Sequence, residues 1–355
     1  MIGGRLKLAR TGRGLSLRSL AEKLRQLVSA QALGKYERDE MMPSTDVLIA
    51  LARALDVSEN YLLSTGEVEL VNVEFRKLKL TATKQEASLK AQVLSAVERY
   101  LEIEDIVAAE STEWNPPADF PYRVLTMECA ELAADSLRAK WSLGLNPIPV
   151  LAEFLEERGI KVLTLDLPES VSGMMAKVHR LNGRDVPVIV VNKNHPGERQ
   201  RFTLAHELGH LVLTVDGDVD MEKCCHRFAG AFLIPRMVLE AEAGRHRHRI
   251  SWAELFRLKR LFGASVQAIV YRMKDLDIIP ETVFTQMFRF MSKQGWRAKT
   301  GEPEPLPKEE THRFERLCFR ALVEQLISDS KAAELLNVTV RELNKLLDQG
   351  VLVEA

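Results

Sequence analysis

Cysteine is scarce in this chain. The four residues stand at 129, 224, 225 and 318, and only the adjacent pair is clustered. Neighbouring cysteines rarely bridge each other, so no disulfide framework is expected, and a reducing compartment is. Long apolar runs are missing too, and nothing approaches the ~20 residues needed to span a bilayer. The opening stretch, MIGGRLKLARTGRG, lacks the apolar centre of a signal peptide. No charge bias exists either: 49 Lys and Arg stand against 50 Asp and Glu, a net −1, so any nucleic-acid surface must be local. These absences lead us to expect a soluble cytoplasmic protein. Apolar residues, by contrast, make up 46% of the 355 positions, ample for the cores of two or three domains.

Within that apolar material lies Thr203–Val215, TLAHELGHLVLTV, which contains His206-Glu207-Leu208-Gly209-His210. Phe202, Leu204, Leu208, Leu211, Val212 and Leu213 recur at helical spacing, so the segment reads as a buried helix. Four residues turn a helix by about 400°, which stacks His206 above His210 on one face. Two neutral imidazoles so placed can chelate one Zn²⁺. Glu207, rotated about 100° from His206, can reach the open side of the metal and take a proton from an activated water. H-E-x-x-H is short enough to arise by chance. Here, however, two His and a Glu interrupt an apolar helix, where burying them without a role is costly. A zinc site of this kind also needs a third protein ligand. A candidate segment, Met221–Pro235 (MEKCCHRFAGAFLIP), follows at a workable distance.

The pattern TLAHELGHL, followed by the helix EKCCHRFAGAFLIP and preceded by VPVIVVN and ERQRF, resembles the ImmA/IrrE family of bacterial metallopeptidases. The resemblance implies one zinc ion per chain, held by His206, His210 and the Glu that opens the second helix, here Glu222, with Glu207 catalytic. Cys224-Cys225-His226 replaces the family's more usual small residues and Asn or Asp. Cys225 and His226 follow Glu222 by three and four positions, on the same helical face, and stay open as alternative ligands. His179 and His195, in the strand region, read as structural polar residues.

Ahead of this, residues 1–66 read as five short helices, with Ser16, Ser29, Ser44 and Ser58 at four of their starts. The segment resembles an Xre/Cro-like helix-turn-helix domain. By position, the resemblance places Ser29, Ala30, Gln31 and Lys35 against DNA. Gln31 can then read adenine, and Lys35 or Arg38 can take a phosphate. Two departures stand out: the turn LRQLVS is longer than usual, and Asp39 occupies the place of a Gly.

Residues 67–121 read as a helical connector with a long amphipathic helix from about Thr83 to Val107, ending in the Pro-rich STEWNPPADFP. Residues 122–250 read as the metallopeptidase core: two helices, the strands IKVLTLDL, SGMMAKVHR and VPVIVVN with a hairpin turn at LNGRD, then the zinc helix. The Arg/His run at 245–249 reads as a solvated loop. Residues 251–300 read as a helical extension, and TGEPEPLPKEE as a second linker. Residues 311–355 read as a C-terminal helical segment of helix-turn-helix rhythm.

The expected fold is mainly α: an all-α helix-turn-helix domain, an α+β zincin-like metallopeptidase core, and a helical C-terminal region. The resemblance implies a DNA-binding transcriptional regulator carrying a site-specific zinc endopeptidase. Its partners would be a double-stranded DNA operator, a second copy of the chain in a homodimer, and a protein substrate, a helix-turn-helix repressor or antitoxin, in stress response or mobile-element control. The alternative is a non-proteolytic regulator or antitoxin whose peptidase-like domain only binds a partner.

Overall fold

A computed structural model of the chain describes residues 2–63, 70–75, 83–108, 113–180, 184–297 and 301–349. It divides into two compact units, one formed by residues 1–111, 178–185 and 312–355, the other by 112–177 and 186–311. Among the described residues no helix is long and apolar enough to cross a membrane.

The first unit opens with α1 (Gly3–Gly12), α2 (Leu17–Lys23), α3 (Ala30–Glu37), α4 (Thr45–Leu55) and α5 (Glu59–Leu63). Leu6, Leu20, Leu33, Leu51, Leu55 and Leu62 are fully buried in their shared core. The serines explain most of the helix starts. Ser16 accepts from the Ser19 amide, Ser29 from Ala32, and Ser58 from Tyr61, each satisfying an end-of-helix N–H. Ser44 is the exception: it holds the N-cap position of α4, but its side chain makes no cap hydrogen bond.

Both departures from the helix-turn-helix pattern have a backbone reason. The long turn is closed by Arg25 and Gln26, both left-handed, at φ 51° and 60°. Asp39 adopts the left-handed backbone at φ 56° that a Gly would take. Its carboxylate then accepts from the Gly3 amide at 2.8 Å, tying α3 to the start of α1. Short polar side chains tolerate this region better than most.

Strand β1 (Leu70–Phe75) and helix α6 (Thr83–Ile106) follow. Helix α6 packs on α1 through ordered contacts: Ser88 donates to Gly12 O at 2.8 Å, and Arg5 pairs with Glu98.

The second unit contains β2 (Tyr122–Val124), α7 (Met127–Lys140), α8 (Leu151–Glu156), β3 (Lys161–Leu165), β4 (Gly173–Arg180) and β5 (Val186–Asn192). After these come α9 (Gly197–Val212), β6 (Leu213–Val215), α10 (Met221–Leu233), α11 (Arg236–Ala243), α12 (Trp252–Phe262), α13 (Val266–Asp275) and α14 (Glu281–Lys293). The last residues of β4, from Val178, cluster with the first unit. Strand β5 lies between β4 and β3, pairing in parallel with β3 from Val188 opposite Lys161 to Asn192 opposite Leu165. All seven β5 residues are buried, which explains the unbroken apolar run VPVIVV. A second small sheet pairs β2 with β6 in parallel. In the expected hairpin turn LNGRD, residues 181–183 lie outside the described residues.

The Pro-rich run after α14 is not a free linker. From Gly301 to Thr311 it is strapped onto the second unit. Glu302 accepts from the Val266 and Gln267 amides at the start of α13, and from Lys259. Glu309 accepts from Arg201 at 2.6 Å and from the Ala152 amide at 2.9 Å. A Cβ at Gly197 would fall 1.9 Å from Pro307 O, so only Gly admits the strap at the head of α9. Composition hid this, because buried glutamates and surface glutamates look alike in sequence. The Arg/His run is also partly anchored: Arg247 pairs with Glu254 at 2.8 Å and donates its amide to Ile278 O.

The chain then returns to the first unit with α15 (Arg313–Val323), α16 (Asp329–Leu336) and α17 (Val340–Gln349). Ser328 caps α16, and Thr339 with Glu342 forms a reciprocal capping box at the start of α17. Helix α6 packs on this segment: Tyr100, Ile103 and Val107 share a core with Leu317, Cys318, Ala321 and Leu335.

Candidate metal centre and nucleic-acid interface

Helix α9 is buried almost throughout. His206, Glu207 and His210 are 9%, 8% and 5% exposed, so its polar residues are enclosed rather than solvated. Helix α10 crosses beside it. A Cβ at Gly209 would lie 3.2 Å from Phe228 Cδ1 and 3.3 Å from Cys225 Cα, so the Gly of HELGH lets α10 come close. Asp220 caps α10 by accepting from Lys223, which places Glu222 in its first turn.

The close approach brings Glu222 to the two histidines. His206 Nε2 lies 3.3 Å from Glu222 Oε2, and His210 Nε2 lies 3.4 Å from Glu222 Oε1. Among the described residues, these three form the group whose donor atoms all lie within 4.8 Å of one another. A tetrahedral ion with bonds of ~2.1 Å separates its ligands by ~3.4 Å. The donor set therefore fits zinc in spacing as well as in type. Electrostatics agrees. Burial, then the neighbouring His226 and His210, pushes His206 down to about 3, so its ring is neutral and has a lone pair to give. Its Nδ1 is buried without a hydrogen-bond partner among the described residues.

Glu207, next to His206 in the chain, lies close enough to feel the Glu222 charge. Burial, followed by the Glu222 charge, raises its carboxyl to about 8, against a hydrogen bond from the Met175 backbone that favours the charged form. Two imidazoles and a carboxylate are a donor set that suits a zinc dication. Glu222 is half exposed, so the donor triangle has an open side.

The alternative ligands go elsewhere. Cys225 is fully buried, with its Sγ 3.8 Å from Met221 Sδ. His226 is exposed and stacks on Phe202 at 5.7 Å, with its ring 4.5 Å from that of His206. It flanks the triangle instead of joining it. His179 pairs with Asp185 at 3.0 Å. His195 is buried beside Arg199.

The sequence reading missed the brace behind the site. Glu131 of α7 accepts two hydrogen bonds from Arg272 of α13, at 2.8 and 2.9 Å, and pairs with Arg227 of α10 at 2.6 Å. Helices α7 and α13 are thereby locked to α10, the helix that carries Glu222. Nothing in the spacing of these residues marks them, because each sits on a different helix.

In the first unit, Ser29, Gln31 and Lys35 lie on the exposed face of α3, while Ala30 is half-buried. Arg38 is exposed but engaged, with two hydrogen bonds to Glu40 at 2.6 and 3.0 Å. Lys35 is therefore freer than Arg38 to meet a phosphate.

The fold is that of a helix-turn-helix domain joined to a peptidase-like α+β domain, and the comparisons agree. Residues 6–62 match the helix-turn-helix family, and residues 155–274 match the IrrE N-terminal-like domain family of peptidases. The chain joins an Xre-like helix-turn-helix domain to an ImmA/IrrE-like peptidase-family domain. It is 41% identical over 71 residues to the HTH-type transcriptional regulator ImmR of Bacillus subtilis (strain 168). That stretch is 20% of this chain and 54% of the relative, so the chain spans about half the length of the curated relative it matches. No solved structure matches it.

Two expectations follow. Purified protein should carry about one zinc per chain, and His206→Ala or His210→Ala should remove it, as read by elemental analysis. Stoichiometric zinc in both variants would place the metal elsewhere. Gln31→Ala should weaken binding to the operator by ~1–3 kcal/mol and leave random DNA nearly unaffected. Equal loss on both, in a titration at fixed salt, would show that Gln31 does not read bases.

Proposed function

We propose that this protein is a DNA-binding regulator that acts as a zinc-dependent endopeptidase on a cognate helix-turn-helix repressor or antitoxin. The observation that carries this reading is the convergence of His206, His210 and Glu222, with the buried Glu207 carboxyl within reach of the Glu222 charge. His206, His210 and Glu222 would hold the ion. When bound, zinc supplies Lewis-acid activation of a water and of the scissile carbonyl.

The remaining steps belong to the chain. Glu207 removes a proton from the attacking water and delivers it to the leaving amine. The Met175 backbone steadies the ionised carboxylate through that exchange. Burial around Glu207 keeps bulk water from competing for the proton. The helix-turn-helix domain brings the protein to the operator, where a DNA-bound repressor is concentrated.

The test is a cleavage assay with the purified repressor or antitoxin encoded beside this protein. Zinc-loaded protein should cut it at one position, and chelation should stop the reaction. An intact partner in the presence of zinc-loaded protein, with binding still detectable, would favour a regulator that acts by contact alone.

A further inference from the structure

Beside the donor triangle the second unit carries a half-open cleft of about 1380 Å³. Phe202 and His226, the stacked pair next to His206, form the wall nearest the site. Further along, Tyr271, Phe288 and Trp296 give the cleft an aromatic wall. Tyr271 leaves 52% of its surface to solvent although it packs edge-on to Phe288 at 6.1 Å. With Phe288 and Trp296 beside it, the ring belongs to a contiguous aromatic patch of the kind that marks interaction sites.

The charges in the cleft are not balanced. Glu198 and Glu302 are occupied by buried Lys259, and Asp275 by Arg227. Three exposed cations are left over: Arg199, Lys223 and Arg297. Among the described residues, Arg199 reaches the Ser172 hydroxyl, and Arg297 the Ser292 hydroxyl and the Phe288 ring. None of the three has a carboxylate partner among the described residues. Against them stands the single exposed Glu169.

We infer that this cleft receives an acidic peptide segment of the protein substrate, with a bulky apolar side chain seated on the Tyr271–Phe288–Trp296 wall. The inference rests on the proposed peptidase reading and specifies what that site selects. Acidic side chains at three separated cations gain charge-assisted hydrogen bonds, and they set orientation as well as affinity. An apolar anchor on the aromatic wall supplies the desolvated contact that usually dominates peptide binding. A nucleic-acid strand suits the cleft less well. It favours a continuous cationic track, and Glu169 interrupts this one.

The experiment uses full-length protein, with and without zinc, and fluorescence anisotropy of labelled dodecapeptides. One probe is Glu-rich with a central Trp, the second replaces Glu by Lys, and the third replaces Trp by Ala. The Glu/Trp peptide should bind best, weaken with salt, and lose roughly tenfold or more in affinity on the Arg199→Glu/Arg297→Glu double variant. An unchanged circular dichroism spectrum and melting temperature would show that the variant is folded. Equal binding of the Lys peptide, or unchanged affinity in the folded double variant, overturns the inference. So does an oligonucleotide that displaces the peptide from wild type. Peptide binding without zinc-dependent cleavage of the repressor would fail the enzymatic reading and leave this one standing. Cleavage without acidic-peptide preference would do the reverse.

Discussion

Glu207→Gln protein is expected to hold zinc as wild type does and to cut its partner roughly 10²–10⁴-fold more slowly. The substitution keeps the shape of the side chain and removes its ability to take a proton. Glu207 is outside the donor triangle of His206, His210 and Glu222, so metal content should not change. The buried position tolerates an amide, because burial already favours the uncharged form of this carboxyl, raised to about 8. Partner and DNA binding should therefore persist while turnover collapses. In cells the variant should behave as a trapped regulator that blocks release of the repressed genes after the inducing stress. The measurement is single-turnover cleavage, wild type against variant, with zinc determined in both. A variant that cuts at the wild-type rate would remove Glu207 from the chemistry. One that restores every cellular function without cutting would make the chain a regulator that works by binding.

Glu131→Gln should cost ~3–5 kcal/mol of stability, because it strips the charge partner from a buried guanidinium. Arg272 is 2% exposed, and its two Glu131 hydrogen bonds are joined by Arg227 and Arg236 around the same carboxylate. Burial alone would raise the Glu131 carboxyl. The hydrogen bonds and charge of Arg272, with Arg227 and Arg236, outweigh it and hold the group at about 2, against an ordinary 4.5. A carboxyl depressed in the folded state stabilises the fold at pH above its unfolded value. That contribution fades as pH falls from about 4.5 through about 2. Urea melts of wild type should lose stability across this window, and the Gln variant should show a flatter dependence there. A Glu131→Leu/Arg272→Met double variant should recover part of the loss, since a buried pair replaced by apolar groups leaves no orphaned charge. If the single variant melts like wild type at neutral pH, the brace does not hold the three helices together. Because Arg227 and Glu222 share α10, weakened zinc retention should accompany the lost stability.

The helices of this protein were largely legible in its residues. Caps, spacing and turn signals are short-range: Ser29 meets an amide three residues on, and His206 and His210 share a face because the helix repeats. The strands IKVLTLDL, SGMMAKVHR and VPVIVVN were legible for the same reason, as apolar runs between turn residues. Corrections arose where a local signal admits two environments. Ser44 occupies a cap position without capping, and the Pro-rich 301–311 run is bound rather than free. Cys225 and Glu222 share a helical face in sequence, yet Cys225 faces the core and Glu222 meets the histidines.

Sequence by itself determined which chemistry this chain can carry: two imidazoles and a carboxylate on one apolar helix, and a serine-capped helix that carries Gln31 and Lys35. Only the tertiary structure brings Glu222 to His206 and His210, through the approach of α10 that Gly209 permits. It also decided what braces and borders that site. Glu131 with Arg272, Arg201 with Glu309, and the Tyr271–Phe288–Trp296 wall all join residues far apart in the chain. Their pairing depends on where whole helices come to rest against one another, and no local periodicity records that.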